Sequence, residues 1–456
     1  MRNRHCDICV IGAGAAGLSV AAGAAQLGAQ VILVEAGPMG GECLNTGCVP
    51  SKALLAAAAA GESPGAAHQR VRDAISAIAP HDSRARFEGL GVRVIAARAT
   101  FTGPREIEAG GERIRARKFV IATGSRPLVP PIAGLDEVPY LTNETLFEHP
   151  LSPAHLLIIG AGPVGVEMAQ AWRRLGSAVT VLDKGLFLPR ADPELAAVVR
   201  AQLDAEGVRI IEHAEINRVG KAESGIILEG SSEGQVLRIE GSHLLVAAGR
   251  VPVTESLNLA AAGVASGADG ITVDRRMRTT NRRTYAAGDV TGPHRFTHMA
   301  AYQAGIIIRH ALFRLPAKTR YDQVPSVVFT APELAQVGLD EARARATHGR
   351  INVLRVAFSE TDRAIADGKP AGHIKVVTTR RGRVLGVSIA GERAGELLQP
   401  WSLMLARRLP IKAMASLVAP YPTYSEINVA AARSYFFPTL MSPRVRALVR
   451  MIQRFA

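Results

Sequence analysis

Among the residues able to do chemistry, Cys43 and Cys48 stand out, set in the run Gly40-Gly41-Glu42-Cys43-Leu44-Asn45-Thr46-Gly47-Cys48-Val49-Pro50-Ser51-Lys52. An alanine- and leucine-rich helix is expected over Ala53 to Ala60, with Pro50 tolerated near its start. Cysteines near a helix N-terminus feel the positive end of its dipole, which lowers the thiol pKa and raises reactivity. One turn of distorted helix would bring positions five apart within disulfide reach. Taken alone, the spacing suits a redox pair, half of a metal site, or two unrelated buried thiols. A four-cysteine zinc site would have to enlist Cys6 and Cys9. Those two lie on or beside an expected strand, where positions three apart face opposite ways, so they read as ordinary buried thiols and no metal site is expected.

The elements around the pair are two alike units. Ile8 to Ile11 run as an apolar strand into Gly12-Ala13-Gly14-Ala15-Ala16-Gly17, a helix of small residues follows, and a second strand from Ala29 to Val34 closes on Glu35. Gly12 allows the tight turn, Gly14 lets backbone approach a pyrophosphate, and Gly17 lets helix and strand pack closely. The helix N-terminus favours the phosphate charge, and Glu35 accepts from a ribose. Leu156 to Ile159 lead likewise into Gly160-Ala161-Gly162-Pro163-Val164-Gly165, and Ala178 to Leu182 end on Asp183. First glycine and acid keep the same offset in both copies, 12 to 35 and 160 to 183. Two such fingerprints in strand–helix–strand context mark two dinucleotide sites. A carboxylate at Asp183 favours NADH over NADPH, although Lys184, Arg173 and Arg174 stand near enough in sequence to soften that choice, so NADP stays open.

Length and composition frame this. The 456 residues call for two to four domains, and 48% hydrophobic residues suffice for large cores. The 44 glycines and 5% aromatics suit tight turns and close backbone approach to a ligand. A formal net charge of +14 points to anionic partners without choosing among them. No nucleic-acid partner is expected. No apolar run reaches the ~18 residues a spanning helix needs, and the N-terminus reads as a strand rather than a signal peptide, so a cytoplasmic location is expected. Four cysteines in so long a chain do not make a secreted disulfide framework.

With these residues in view, the sequence resembles the pyridine nucleotide–disulfide oxidoreductases, the family of dihydrolipoamide dehydrogenase, glutathione reductase and mercuric reductase. The most specific element is residues 40–52. Further matches are Ile121-Ala122-Thr123-Gly124-Ser125-Arg126-Pro127, Ala247-Ala248-Gly249-Arg250-Val251-Pro252, Tyr285-Ala286-Ala287-Gly288-Asp289 and Val328-Phe329-Thr330-Ala331-Pro332-Glu333. The resemblance implies an α/β fold with two Rossmann-like domains and an α+β dimerisation domain. FAD-binding residues are expected in 1–149 and again in 253–322, with an NAD(P) domain inserted at 150–252 and the interface domain at 323–456. It implies FAD held with the help of Thr123, Gly124, Asp289 and His298, and NAD held by the second glycine turn with Gly249. It implies a Cys43–Cys48 disulfide in which Cys48 becomes the thiolate against the flavin and Cys43 meets substrate, with Lys52 and Glu167 as an ion pair beside the flavin ring. A homodimer is implied because Tyr421 and Glu426 would complete the neighbour's site.

One position departs from that pattern. Thiol–disulfide members carry His-Pro-Thr with a glutamate shortly after; here the frame reads Tyr421-Pro422-Thr423-Tyr424-Ser425-Glu426. An unperturbed tyrosine, pKa about 10, is a poor base at neutral pH. Mercuric reductase has tyrosine here too, but it also uses a C-terminal cysteine pair, and no cysteine follows Cys48 in this sequence. The leading expectation is a dihydrolipoamide dehydrogenase type acting on a lipoyl-type dithiol. Reduction of a soft metal or other electrophile, quinone or diaphorase-type electron transfer, and a flavin-binding protein without catalysis are the alternatives. Finally, Met441, Val445, Leu448, Val449, Ile452 and Phe455 share one face of an expected terminal helix with Arg444, Arg446, Arg450 and Arg454 around the rest. That helix would dock on the protein body or lie on anionic membrane.

Overall fold

A computed structural model describes residues 2–223, 225–292 and 294–454. The chain divides into two compact units, residues 1–185 with 209–320, and residues 186–208 with 321–456. Among the described residues the first unit is built on a seven-stranded sheet. Its parallel part runs Arg93–Ala96, Val31–Glu35, Arg2–Ile11, Glu112–Ile121, with Thr284–Ala286 also pairing parallel to Glu112–Ile121. Strands covered on both faces read as continuous apolar runs, and Ile8 to Ile11 and Val31 to Val34 are all buried. The helix Ala15–Gln26 lies on one face, where its alanines allow close packing against the helix Thr297–Phe313.

The second glycine turn belongs to a four-stranded parallel sheet ordered Arg209–Ile211, Ala178–Leu182, His155–Ile159, His243–Val246. Its helix, Pro163–Arg174, begins with proline at the first position, where no amide donor is required. Ala214–Ala222, Gly225–Ser232 and Gln235–Gly241 add an antiparallel meander.

The other unit carries a five-stranded antiparallel sheet, Ser326–Val328, Glu333–Gly338, Val384–Gly391, His373–Thr379, Ile351–Ala357. Helix Pro193–Ala205 packs on this sheet. A buried ion cluster joins them: Lys375 Nζ lies 3.0 Å from Asp192, 2.9 Å from Glu194 and 3.1 Å from Glu341. Asp192 also caps the helix by accepting from the Glu194 amide.

Two local expectations are corrected. The helix after the cysteines begins earlier, spanning Cys48–Ala59, because the turn breaks at Gly47 rather than after Lys52. Cys6 and Cys9 do not face opposite ways. The amides of Asp7 and Ile8 both donate to the Gln30 carbonyl, at 2.9 and 3.2 Å, which slips the alternation by one residue. Both thiols therefore join one core cluster with Phe101 and Phe119. Burial, then the contact with Cys6, pushes the Cys9 thiol well up, leaving it unreactive. Among the described residues no group of three or more His, Cys, Asp or Glu could hold a metal ion.

No helix among the described residues is long and apolar enough to cross a membrane. The terminal helix Pro443–Ile452 buries none of its side chains. Leu448, Val449, Met451 and Ile452 are exposed; Phe455 lies outside the described residues.

Candidate functional site

The cysteines sit on two short helices rather than one distorted turn. Gly41–Asn45 carries Cys43, and Cys48 is the first residue of Cys48–Ala59, with only Thr46 and Gly47 between the helices. This loop is docked on the first glycine turn. The Gly40 amide donates to the Ala13 carbonyl at 3.0 Å, and a Cβ on Gly41 would stand 2.6 Å from Gly14 Cα. Any side chain at Gly41 would push the cysteine helix off the turn.

Both cysteines are reduced, and they bear opposite protonation tendencies. The hydrogen bond from Cys43, then Thr297 and Lys52, bring Cys48 down to about 6 against burial and Glu167. Holding that thiolate, together with burial, drives the Cys43 thiol upward. Thr297 Oγ1 lies 3.4 Å from Cys48 Sγ. Its place as first residue of the helix Thr297–Phe313 adds a second helix N-terminus beside the sulfur. The arrangement is a dithiol ready to exist as Cys48 thiolate and Cys43 thiol at neutral pH.

Lys52, one turn along from Cys48, reaches Glu167 Oε2 at 2.7 Å. Glu167 is buried on helix Pro163–Arg174, so the pair bridges the cysteine helix and the helix of the second nucleotide turn. A buried carboxylate needs such a partner.

The nucleotide sites fit the groups their motifs imply. A Cβ on Gly12 would meet the Ala122 carbonyl at 2.2 Å, and one on Gly17 the Gly12 carbonyl at 1.8 Å. Gly160 and Gly165 repeat this against Ala247 and Gly160, at 2.3 and 1.9 Å. At the middle positions the result reverses: a Cβ on Gly14 would come no closer than 3.9 Å to the chain, and one on Gly162 meets nothing within 4 Å. Those faces are bare, with room for a pyrophosphate to approach the backbone. The acids repeat as well. Glu35 accepts from the Ala13 amide and from Gly37 at 2.7 Å, and Asp183 from Ala161 at 2.6 Å and Gly185 at 2.7 Å. A carboxylate with about four acceptor positions keeps two for ribose hydroxyls.

Next to the cysteine loop lies a polar network that sequence reasoning missed. Arg250 donates to Ser125 Oγ at 2.7 Å, to Asn143 Oδ1 at 3.3 Å and to Glu42. Ser125 Oγ donates in turn to Asp289 Oδ2 at 2.6 Å. Burial, opposed by Arg250, raises Glu42 to about 7. Thr123 donates to the Val253 carbonyl at 2.6 Å, while Gly124 accepts from the Val253 amide at 3.0 Å. Gly249 accepts from the Leu128 amide, fixing the strand that presents Arg250. His298 is exposed on the first turn of its helix and stacks on Phe296 at 5.0 Å. The pattern Ala-Gly-Arg at 248–250 was the available signal for Arg250; Thr297 had only its position beside His298.

Tyr421 and Glu426 belong to the other unit. Tyr421 is 71% exposed, and its hydroxyl donates to Asp362 Oδ2 at 2.9 Å, a bond that raises its pKa further. Glu426 accepts from the Thr423 amide at 3.3 Å and starts the helix Glu426–Ser434.

Comparison with known proteins agrees with this architecture. Residues 6–305 match the pyridine nucleotide-disulphide oxidoreductases, and residues 324–432 match that family's dimerisation domain. The chain is 33% identical to a mercuric reductase of Bacillus cereus, over 93% of this chain and 70% of that protein. It is 36% identical to a dihydrolipoyl dehydrogenase of Thermus scotoductus, over 94% and 97%. The Cu(II) complex of the HOCl-induced flavoprotein disulfide reductase RclA from Escherichia coli superposes with a TM-score of 0.88 at 29% identity, over 94% of this chain and 99% of that one.

Proposed function

The chain belongs to the pyridine nucleotide-disulphide oxidoreductases, FAD-containing and NAD(P)H-dependent enzymes, and we propose that it passes electrons through Cys43 and Cys48 to a soft, thiol-seeking electrophile. Bound FAD supplies the route from NADH to the cysteine disulfide. Two electrons and one proton convert that disulfide to the Cys48 thiolate and Cys43 thiol, the state that Thr297, Lys52 and the helix N-terminus stabilise. In the outward step Cys43 loses its proton to solvent as its sulfur meets the acceptor. The disulfide re-forms, and a divalent soft metal ion leaves with both electrons.

Tyr421 carries the choice of acceptor. Oxidising a dithiol requires a base to relay protons, and a tyrosine whose pKa is raised by Asp362 is unfit for that at neutral pH. A metal ion brings no proton to relay. Dihydrolipoyl-type chemistry is the second reading, favoured by Glu426 in its family frame and by the Thermus relative. The test is a turnover screen with NADH over mercuric ion, lipoamide, glutathione disulfide and quinones, in wild type and Cys43→Ser. Mercuric ion turned over fastest, and lost with Cys43, supports the reading. Quinone turnover surviving in the variant as the main activity sinks it.

We further propose a homodimer through residues 324–432, NADH as the preferred donor through Asp183, and a terminal helix lying on anionic lipid. That helix exposes its apolar side chains and carries Arg444, Arg446 and Arg450 with no acid, which complements an anionic surface. Pelleting with phosphatidylglycerol-rich vesicles should be lost on truncation before Pro438; equal pelleting by both forms refutes it.

A further inference from the structure

A cavity of about 740 Å³ opens at the end of the seven-stranded sheet opposite the glycine turn. Its floor is Ile8, Lys118 and Tyr285, contributed by three adjacent parallel strands upstream of the edge where Gly12 sits. Its wall is the last turn of the helix Thr297–Phe313 with Arg314, and the loop at Leu27 completes it. The cavity is therefore separate from both dinucleotide sites, which lie at the carboxyl ends of their strands.

The cavity is lined by three cations, Arg117, Lys118 and Arg314, against one carboxylate, Asp7. Lys118 Nζ stands 5.8 Å over the Tyr285 ring and 3.5 Å from the Arg282 carbonyl. Burial, then Arg283, Arg278 and Arg314, hold its ammonium below the usual lysine range. The cavity's own acid and the neighbouring Asp274 already have partners. Asp7 pairs with Arg117 at 3.3 Å, and Asp274 takes both ends of the Arg278 guanidinium at 2.8 and 3.0 Å. Among the described residues no carboxylate pairs with Lys118 or Arg314. Like charges gathered in a half-enclosed cavity repel one another until an anion joins them. At the rim, Phe313 and Leu27 are each 54% exposed, an apolar platform beside the charges.

We propose that this cavity binds a small organic polyanion of nucleotide type, with phosphates on Lys118 and Arg314 and its ring on Phe313. The volume falls within the range of small-molecule sites, about 300–1,000 Å³. Several cations at separate points suit more than one phosphate, and the aromatic rim suits a base.

The probes are ATP and inorganic tripolyphosphate, titrated calorimetrically into the FAD-loaded enzyme with saturating NAD⁺ so that the second glycine turn is blocked. ATP should bind one site per chain, more tightly than tripolyphosphate. Lys118→Ala and Arg314→Ala should each weaken ATP by roughly tenfold, and Phe313→Ala should bring ATP to the level of tripolyphosphate. The KM for NADH and the flavin content should stay unchanged in all three. Absence of saturable ATP binding under blocked conditions, or equal ATP affinity in wild type and both cation variants, overturns the site. Equal affinity for ATP and tripolyphosphate in wild type overturns the nucleotide class.

Discussion

Replacing Thr297 with valine removes the hydroxyl 3.4 Å from Cys48 Sγ while keeping the side chain's shape. Cys48 stands at about 6 rather than 9.0, with Cys43 the first cause and Thr297 the next that lowers it. A hydrogen bond to a charged acceptor contributes about 1.5–3 kcal/mol when enclosed. A long bond to sulfur on an exposed residue, screened by solvent, is worth less, about 1 kcal/mol. That corresponds to about 0.7 of a pKa unit. Because the folded pKa is depressed, thiolate is present above the midpoint and lost as pH falls through it, so the valine moves that loss to higher pH. The thiolate-to-thiol ratio at pH 7 should fall from roughly ten to roughly two. The assay is a pH titration of the long-wavelength absorbance of the two-electron-reduced, FAD-loaded enzyme, compared between wild type, Thr297→Val and Thr297→Ser. The serine variant should recover most of the shift. A midpoint that stays put or moves down in the valine variant would refute the assignment of Thr297 to the thiolate.

Four further outcomes follow from the geometry. Lys375→Met leaves the buried Asp192 without its cation and should cost about 3 kcal/mol in chemical denaturation; an unchanged midpoint means the cluster adds nothing. In the same cluster Arg355, then Lys375, hold Glu194 at about 2, so its contribution to stability is complete above the ordinary 4.5 and is lost as pH falls towards 2; acid unfolding of Glu194→Gln should be correspondingly less steep. Tyr421→His should raise dihydrolipoamide oxidation at neutral pH by roughly a hundredfold, and no gain would mean that the acceptor side lacks more than a base. Asp183→Ala frees the Ala161 and Gly185 amides and should shift the NADH-to-NADPH ratio of kcat/KM towards NADPH by about tenfold, and a ratio left unmoved would remove Asp183 from donor choice.

What was legible in the sequence is what local chain geometry encodes. The glycine turns, their acids and the cysteine run each occupy a few dozen consecutive residues. Gly17 and Gly165 are constrained within their own turns, by Gly12 and Gly160, although Gly12 and Gly160 are constrained by Ala122 and Ala247 far along the chain. Thr297 was out of reach because it meets Cys48 across 249 positions, and a threonine at a helix start is common. Arg250 lay inside a recognised motif, yet its partners Glu42, Ser125 and Asn143 come from three separate segments. The Lys375 cluster draws on residues 192, 194, 341 and 375, and only the fold collects them. Cys6 and Cys9 misled for a different reason: strand alternation holds only where each amide has its own acceptor, and Gln30 serves two.

The contact of Gly41 with Gly14 bears on how accurately the sulfurs can be placed. Between these residues run a helix, a strand and a loop, each able to shift by a fraction of an ångström. If the cysteines were located only by following the backbone, those errors would accumulate before reaching Cys43. The bare glycine faces and the Gly40 amide instead reference the cysteine loop directly to the phosphate turn, as a machinist measures from one datum. Drift in the intervening segments, through mutation or thermal motion, is thereby cancelled at the point of use. The segments between can then vary in sequence without detuning the thiols, while Gly40 and Gly41 cannot.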